Sequence, residues 1–254
     1  MSVSLSVKGG EPLLSIIVPV YNEKKTFLIM MDLLLKKKFK TVDTEIIIVE
    51  GNSEDGTRTD VLRFEGINGI KLILLEKAQG KGHAVRQGLK QAKGDIILIQ
   101  DADLEYDIDD YDALLEPLLT HQCQFVLGSR HLGNWKIRKF KKDLIYSSYL
   151  NFGHLFFTSL FNRLYKQNLS DPWTMYKIFR KECLQGVEFE SNRFNFDVEL
   201  VSKLVRLGFH PIEIPVSYAS RSFEEGKKIN IWIDPWTWLW ALIKYRFVSP
   251  IKKD

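Results

Sequence analysis

Short apolar runs alternate along this chain with stretches whose apolar residues recur at helical spacing. Leu14-Ser15-Ile16-Ile17-Val18-Pro19-Val20 reads as a buried strand. The following stretch, about Glu23 to Lys38, carries Phe27, Met30, Met31, Leu34 and Leu35 on one face and predicts a helix. Its closing lysines, Lys36 to Lys38, lie where the helix dipole favours cations. A second strand is predicted over Glu45 to Val49, followed by a Gly/Asn/Ser/Asp-rich turn, Gly51 to Gly56, that opens another helix. A third strand, Lys71 to Leu75, leads through Gly80-Lys81-Gly82 into a helix carrying Ala84, Val85, Leu89 and Ala92. Further strands are predicted at Ile96 to Gln100 and at Gln124 to Gly128. Strands alternating with helices predict an α/β class: a mostly parallel central sheet flanked by helices.

From about Trp135 the pattern changes. Lys136, Arg138, Lys139, Lys141 and Lys142 crowd cations together, and the stretch from Leu144 to Asn162 then carries no formal charge. That stretch approaches the length of a membrane span, but Tyr146, Ser147, Ser148, Asn151, His154, Thr158, Ser159 and Asn162 interrupt it. It reads as a helix that is buried or lies at an interface. In the tail, Trp236, Trp240, Ile243 and Phe247 recur at helical spacing, with Pro235 suited to the first turn and Lys244 and Arg246 near the end. An amphipathic C-terminal helix of this kind suits a membrane surface. Packing its tryptophans onto the core explains the same spacing.

Composition narrows the class further. At 254 residues and 45% hydrophobic, the chain can bury one substantial core. A net charge of +4 makes no case for nucleic acid as a partner. Cys123 and Cys183 stand far apart without metal-type spacing, which argues against a disulfide framework and fits a reducing compartment such as the cytosol. Met1 to Pro12 is polar and has no apolar leader segment.

The chemistry concentrates at Asp101-Ala102-Asp103, which closes the fourth predicted strand. Side chains alternate in a strand, so the two carboxylates should point the same way. They repel each other and call for a cation, for which a divalent metal carrying substrate phosphates is the usual solution.

Other stations follow in order. They are Val18-Pro19-Val20-Tyr21-Asn22-Glu23, Val49-Glu50-Gly51-Asn52-Ser53-Glu54-Asp55-Gly56-Thr57, and Gly80-Lys81-Gly82-His83-Ala84-Val85-Arg86. After Gln100-Asp101-Ala102-Asp103-Leu104-Glu105 come Gly128-Ser129-Arg130, Phe196-Asp197-Val198-Glu199, Glu213-Ile214-Pro215-Val216, and Arg221 with Gly226-Lys227-Lys228. Together they resemble the family 2 glycosyltransferases, in the branch of the polyprenyl-phosphate (dolichol-phosphate) mannose and glucose synthases. The resemblance runs from about Leu13 to Phe247.

The resemblance implies a nucleotide-sugar-binding glycosyltransferase A-type fold, a GDP- or UDP-hexose donor, Mg²⁺ or Mn²⁺, and inversion at the anomeric carbon. It divides the chain into a catalytic domain, 1–230, and a Trp-rich tail, 231–254. Within the domain a donor half spans about 13–130 and an acceptor half about 131–230. Pro19, Tyr21, Asn22, Glu23 and Glu50 would line the nucleobase and ribose pocket. Asp55 is a candidate helix cap beside it. Relatives commonly carry Asp where this chain has Glu50 and Gly51, which leaves the donor base open. Lys81 and Gly82, ahead of a helix, would meet phosphate, although a solvated loop lysine is the plainer reading. Arg86 would support the acidic cluster.

Gln100, just before that cluster, would help bind the donor. Asp101 and Asp103 would hold the metal, with Glu105 as a third ligand. The metal would neutralise charge developing on the departing diphosphate. Arg221, aided by Lys227 or Lys228, would close over the diphosphate. A lipid-phosphate acceptor needs no strong base and would be gripped by Arg130, Arg138, Lys141 and Lys142. A sugar-hydroxyl acceptor would need a carboxylate base, Asp197 or Glu199, although complementing the helix dipole also explains an acid there. A polyprenyl phosphate or glycolipid acceptor places the protein peripherally at the cytosolic face of a membrane, directly or through a separate membrane-protein partner.

Two readings from other classes compete. A sugar-nucleotide pyrophosphorylase would want glycines near Ser15 to Glu23, where there are none. A non-catalytic relative that only binds nucleotide sugar would have lost the paired aspartates, and both are present.

Overall fold

The computed structural model describes residues 10–131, 144–220 and 234–251. Expectations that fall on Arg138, Lys141, Lys142, Arg221, Lys227 and Lys228 lie outside those residues. Three strand–helix units open the chain: β1 (Leu13–Val20) and α1 (Phe27–Lys36), β2 (Asp43–Glu50) and α2 (Thr57–Leu62), β3 (Ile70–Leu74) and α3 (Lys81–Gln91). Then come β4 (Ile96–Ile99), α4 (Tyr111–Leu119), β5 (Phe125–Ser129) and α5 (Leu144–Tyr165). The described chain continues through β6 (Lys177–Arg180), α6 (Asn195–Arg206), β7 (Ile212–Pro215) and α7 (Asp234–Phe247).

The seven strands form one sheet in the order β3-β2-β1-β4-β6-β5-β7. All neighbours pair in parallel except at β6, which runs antiparallel to both β4 and β5. The α/β architecture is the expected one. Sequence patterning missed β6, because its four residues begin and end in charges, Lys177 and Arg180. Lys177 is nonetheless fully buried.

Helices cover both faces, so the central strands read as continuous apolar runs. Side-chain alternation still sorts them. Leu14, Ile16, Val18, Ile46 and Ile48 face a core closed by α1 and α4. Ile17, Ile47, Val49, Ile97 and Ile99 face a second core closed by α3, α5, α6 and α7. At Gly88 a β-carbon would stand 2.5 Å from Ile17 Cγ2, so the glycine lets α3 rest directly on β1. That contact fixes where the start of α3 meets the sheet.

Two of the boundary differences from the sequence pattern bear on the site. α1 begins at Phe27 and not at Glu23, because Glu23 O accepts from both the Thr26 and Phe27 amides in a turn. β4 ends at Ile99, and Asp101 to Leu104 form a turn in which Leu104 has φ +59°. The two aspartates therefore owe their common direction to that turn and not to strand alternation.

α7 divides the tail's aromatic residues between two faces. Ala241, Leu242 and Tyr245 are buried, and Trp238 packs edge-on against Phe157 of α5. The face marked by helical spacing points outward: Trp236, Trp240, Ile243 and Phe247 are 72%, 55%, 49% and 78% exposed. On α5, Phe152 and Phe156 are exposed as well. No described helix is long and apolar enough to cross a membrane.

Candidate active site

The chain runs outward through β1, β2 and β3, then returns to place β4 against the other side of β1. In open α/β sheets, ligands bind beyond the carboxyl ends of the strands at such a reversal. A cavity of about 610 Å³ opens there, within the range of small-ligand sites. Pro19, Tyr21 and Glu23 border it from the end of β1, Lys81 from the start of α3, and Asp101, Asp103 and Glu105 from the turn after β4. The opposite wall is apolar and aromatic: Phe157 of α5, Trp173, and Trp238 of α7.

The loops after β1 and β2 are laced together. Asn22 N donates to Ser53 Oγ at 2.9 Å, Glu54 N to Asn22 Oδ1 at 2.9 Å, and Glu23 N to Thr57 Oγ1 at 2.9 Å. Asp55 accepts from Lys24 N at 3.0 Å and from Thr57 N at 2.9 Å; Gly56 and not Asp55 holds the N-cap position, so Asp55 meets the first turn of α2 from one residue earlier. Burial would raise the Asp55 carboxyl, but the Thr57 hydroxyl and these amides outweigh it and hold it below its ordinary value. Glu50 is wholly buried and does not border the cavity. Its carboxylate takes the Asn52 and Ser53 amides and the Arg58 guanidinium at 3.2 Å. Asn22, Glu50 and Asp55 thus shape the pocket from behind.

Around the acidic turn the supports are equally local. Tyr111 Oη donates to Gln100 Oε1 at 2.6 Å, and Gln100 Nε2 donates to Asp101 O at 2.7 Å. Asp103 Oδ1 accepts from Glu105 N at 3.1 Å, an Asx turn that aims the carboxylate. Glu105 Oε2 accepts from Tyr218 Oη at 2.9 Å, and Glu105 O from Ala219 N at 2.8 Å. The segment that runs toward Arg221 is thereby docked on the acidic turn.

Lys81 Nζ lies against Asp101 Oδ1. Burial would lower the Lys81 ammonium, but Asp101, Asp197 and Asp103 outweigh it and hold it above its ordinary value. Gly82 is buried against the 191–196 segment, where a β-carbon would meet Ser191 O at 2.6 Å. Asp101, Asp103 and Glu105 all border one cavity and Asp101 already draws a lysine; oxygen ligands of this kind, completed by substrate phosphates, are what a hard divalent cation takes.

Arg86 departs from expectation. Its Nη1 donates to Glu190 O and Asn192 Oδ1, both at 2.7 Å, so it braces the 190–192 loop and not the acidic turn. Asp197 and Glu199 also separate, because residues two apart on a helix point in nearly opposite directions. Asp197 borders the cavity and accepts from Lys177 Nζ at 3.0 Å. Glu199 is fully buried away from it, holding Ser191 N at 2.8 Å and Lys203 Nζ at 2.6 Å. It serves the loop and not a ligand.

Arg130 borders the cavity but is committed to Asp171. Nε to Oδ2 and Nη2 to Oδ1 are both 2.7 Å, and Arg130 N reaches Oδ2 at 3.0 Å. Burial would raise the Asp171 carboxyl; the guanidinium overrides it and holds it well below the usual range. Sequence reasoning missed Asp171, together with His154 and Trp173 on the cavity wall. No local spacing announces any of them.

The Glycosyl transferase family 2 model matches residues 15–187, well over half of the chain. The chain belongs to that family. A dolichol-phosphate mannosyltransferase of Pyrococcus furiosus is 25% identical over 224 residues, covering 84% of this chain and 58% of that protein. The chain thus spans less than two thirds of the length of that curated relative. Mouse dolichyl-phosphate beta-glucosyltransferase is 29% identical over 243 residues, covering 89% of this chain and 71% of that protein. Among solved structures, glucosyl-3-phosphoglycerate synthase from Mycobacterium tuberculosis, with Mn²⁺, UDP and phosphoglyceric acid, aligns with a TM-score of 0.67 at 18% identity. That alignment covers 94% of this chain and 80% of the other, and it establishes the fold.

Proposed function

We propose that this protein transfers a hexose, with inversion, from a nucleoside-diphosphate sugar to a polyprenyl phosphate or related glycolipid at the cytosolic face of a membrane. One observation carries the reading: a single cavity joins the acidic turn after β4 to an aromatic wall from α5 and α7. The outer faces of those two helices expose Phe152, Phe156, Trp236, Trp240 and Phe247. A polar donor and a lipid acceptor can meet between such walls. The relatives named for dolichol-phosphate substrates support the same reading.

In it, Pro19, Tyr21 and Glu23 bind the nucleoside, held by the loop contacts of Asn22, Glu50 and Asp55. Asp101, Asp103 and Glu105 hold Mg²⁺ or Mn²⁺, which when bound offsets the charge of the diphosphate. Lys81 exchanges Asp101 for a phosphate oxygen, and Arg221 with Lys227 and Lys228 covers the diphosphate. Arg138, Lys141 and Lys142 draw in the acceptor phosphate, while Arg130 shapes its seat through Asp171. An acceptor phosphate oxygen forms the new bond to the anomeric carbon as the bond to the diphosphate oxygen breaks. No proton need be removed from that nucleophile. The pairing of Asp197 with Lys177, which leaves the carboxylate occupied, supports this version.

The test is nucleotide release and sugar transfer from a panel of GDP- and UDP-hexoses with Mg²⁺ or Mn²⁺, with and without undecaprenyl phosphate in vesicles. Lipid-dependent release from one donor is expected. Donor turnover that needs a saccharide instead would overturn the acceptor assignment and make Asp197 the candidate base.

A further inference from the structure

His131 follows β5, His154 lies on α5, and Asp171 precedes β6; all three are buried. One ligand atom from each lies within 4.8 Å of the others. His131 Nε2 and His154 Nε2 are 3.2 Å apart, and His154 Nε2 is 3.7 Å from Asp171 Oδ1. The rings stand at 85° with centroids 5.2 Å apart, so nitrogens meet and faces do not.

A buried hydrogen-bonded histidine pair is the simpler account of one of these contacts. It does not bring in the carboxylate: at 3.7 Å that contact is too long for a hydrogen bond, yet Asp171 Oδ1 faces the same nitrogen, His154 Nε2. Three ligand atoms drawn around one point are what a metal ion requires. In a tetrahedral site with bonds of about 2.0–2.1 Å, ligand atoms stand roughly 3.3 Å apart. The two measured edges bracket that separation, and the third lies within 4.8 Å.

We propose that His131, His154 and Asp171 form a second divalent-metal site, of the class that prefers imidazole, with Zn²⁺ as its type. Its two nitrogens distinguish it from the all-oxygen acidic turn. Arg130 holds Asp171 as outer-sphere partners commonly hold ligating carboxylates, leaving Oδ1 a second lone pair. The guanidinium also opposes a cation, since it already neutralises the carboxylate. His154 borders the cavity, where an anion can complete the charge balance. An acceptor phosphate would be that anion; this last link rests on the proposed function, and the metal site does not.

The experiment is a Co²⁺ titration of the untagged, metal-stripped chain, read by visible absorption. Four-coordinate nitrogen–oxygen Co²⁺ absorbs far more strongly than six-coordinate oxygen-ligated Co²⁺, so the two sites separate spectrally. One equivalent of the intense species is expected in the wild type and in Asp103→Ala, displaced by Zn²⁺ and lost in His131→Gln and in His154→Asn. Only the weak six-coordinate spectrum in the wild type would overturn the site without recourse to any variant. Loss of the intense species in Asp103→Ala, with retention in folded His131→Gln, would overturn it equally. Neither result depends on transferase activity, so the functional reading stands or falls separately.

Discussion

At the scale of single residues, environment decides which carboxylates can work. Asp103 sits at a cavity wall in a turn that aims it, whereas Glu199 is enclosed by amides and Lys203. Asp103→Ala should reduce transfer by about a hundred- to a thousandfold, the scale of a lost charge-stabilising group, with little change in melting temperature. Activity near wild type in a discontinuous transfer assay would remove Asp103 from the metal site. In the metal-free chain Asp171 should behave differently, through its ion pair with Arg130. Its folded-state pKa is depressed, so its contribution is present above the ordinary carboxylate range and is lost as pH falls below about 4. Asp171→Asn leaves Arg130 buried with its charge uncompensated and should cost about 3–5 kcal/mol near pH 7. The gap between the two proteins, measured by denaturant unfolding, should begin to narrow below about pH 4 and keep narrowing as the pH falls toward the depressed folded-state value. A gap independent of pH would mean that the ion pair is not its source.

At the scale of elements, α3 and α7 carry the most information. Gly88 seats α3 on β1, and that seating brings Lys81 to the strand ends. In α7 the helical spacing of Trp236, Trp240, Ile243 and Phe247 was easy to see, but a period reports only that residues share a face. Ala241, Leu242 and Tyr245 won the inward position, because the smaller face packs closely on α5 and α6. The outward aromatic face, with Lys244 4.5 Å over the Trp240 ring, suits a lipid headgroup region. Replacing Trp240 and Phe247 together by Ser should weaken binding to anionic vesicles by at least about tenfold, since each buried aromatic is worth about 1.5–3 kcal/mol. Stability in solution should hold, because both side chains are exposed. Undiminished co-sedimentation with phosphatidylglycerol vesicles would exclude α7 as the contact.

At the scale of the whole molecule, much was determined by sequence alone. Short continuous apolar runs and amphipathic runs of period 3.6 marked the first five strands and the helices around them, and the ordered stations marked the family. These signals are local: each depends on residues within a turn or a strand of one another. The antiparallel insertion of β6 was not legible, since four residues with charged ends bury only when β4 and β5 receive them from either side. Nor were the clamp of Arg130 on Asp171, the separation of Asp197 from Glu199, or the meeting of His131 with His154. Those partners come from distant elements or depend on which side of a helix is covered. Spacing along the chain therefore specified the first five strands, the helices around them and the paired aspartates. Only packing in three dimensions decided which charges were neutralised, which aromatics faced water, and which imidazoles converged.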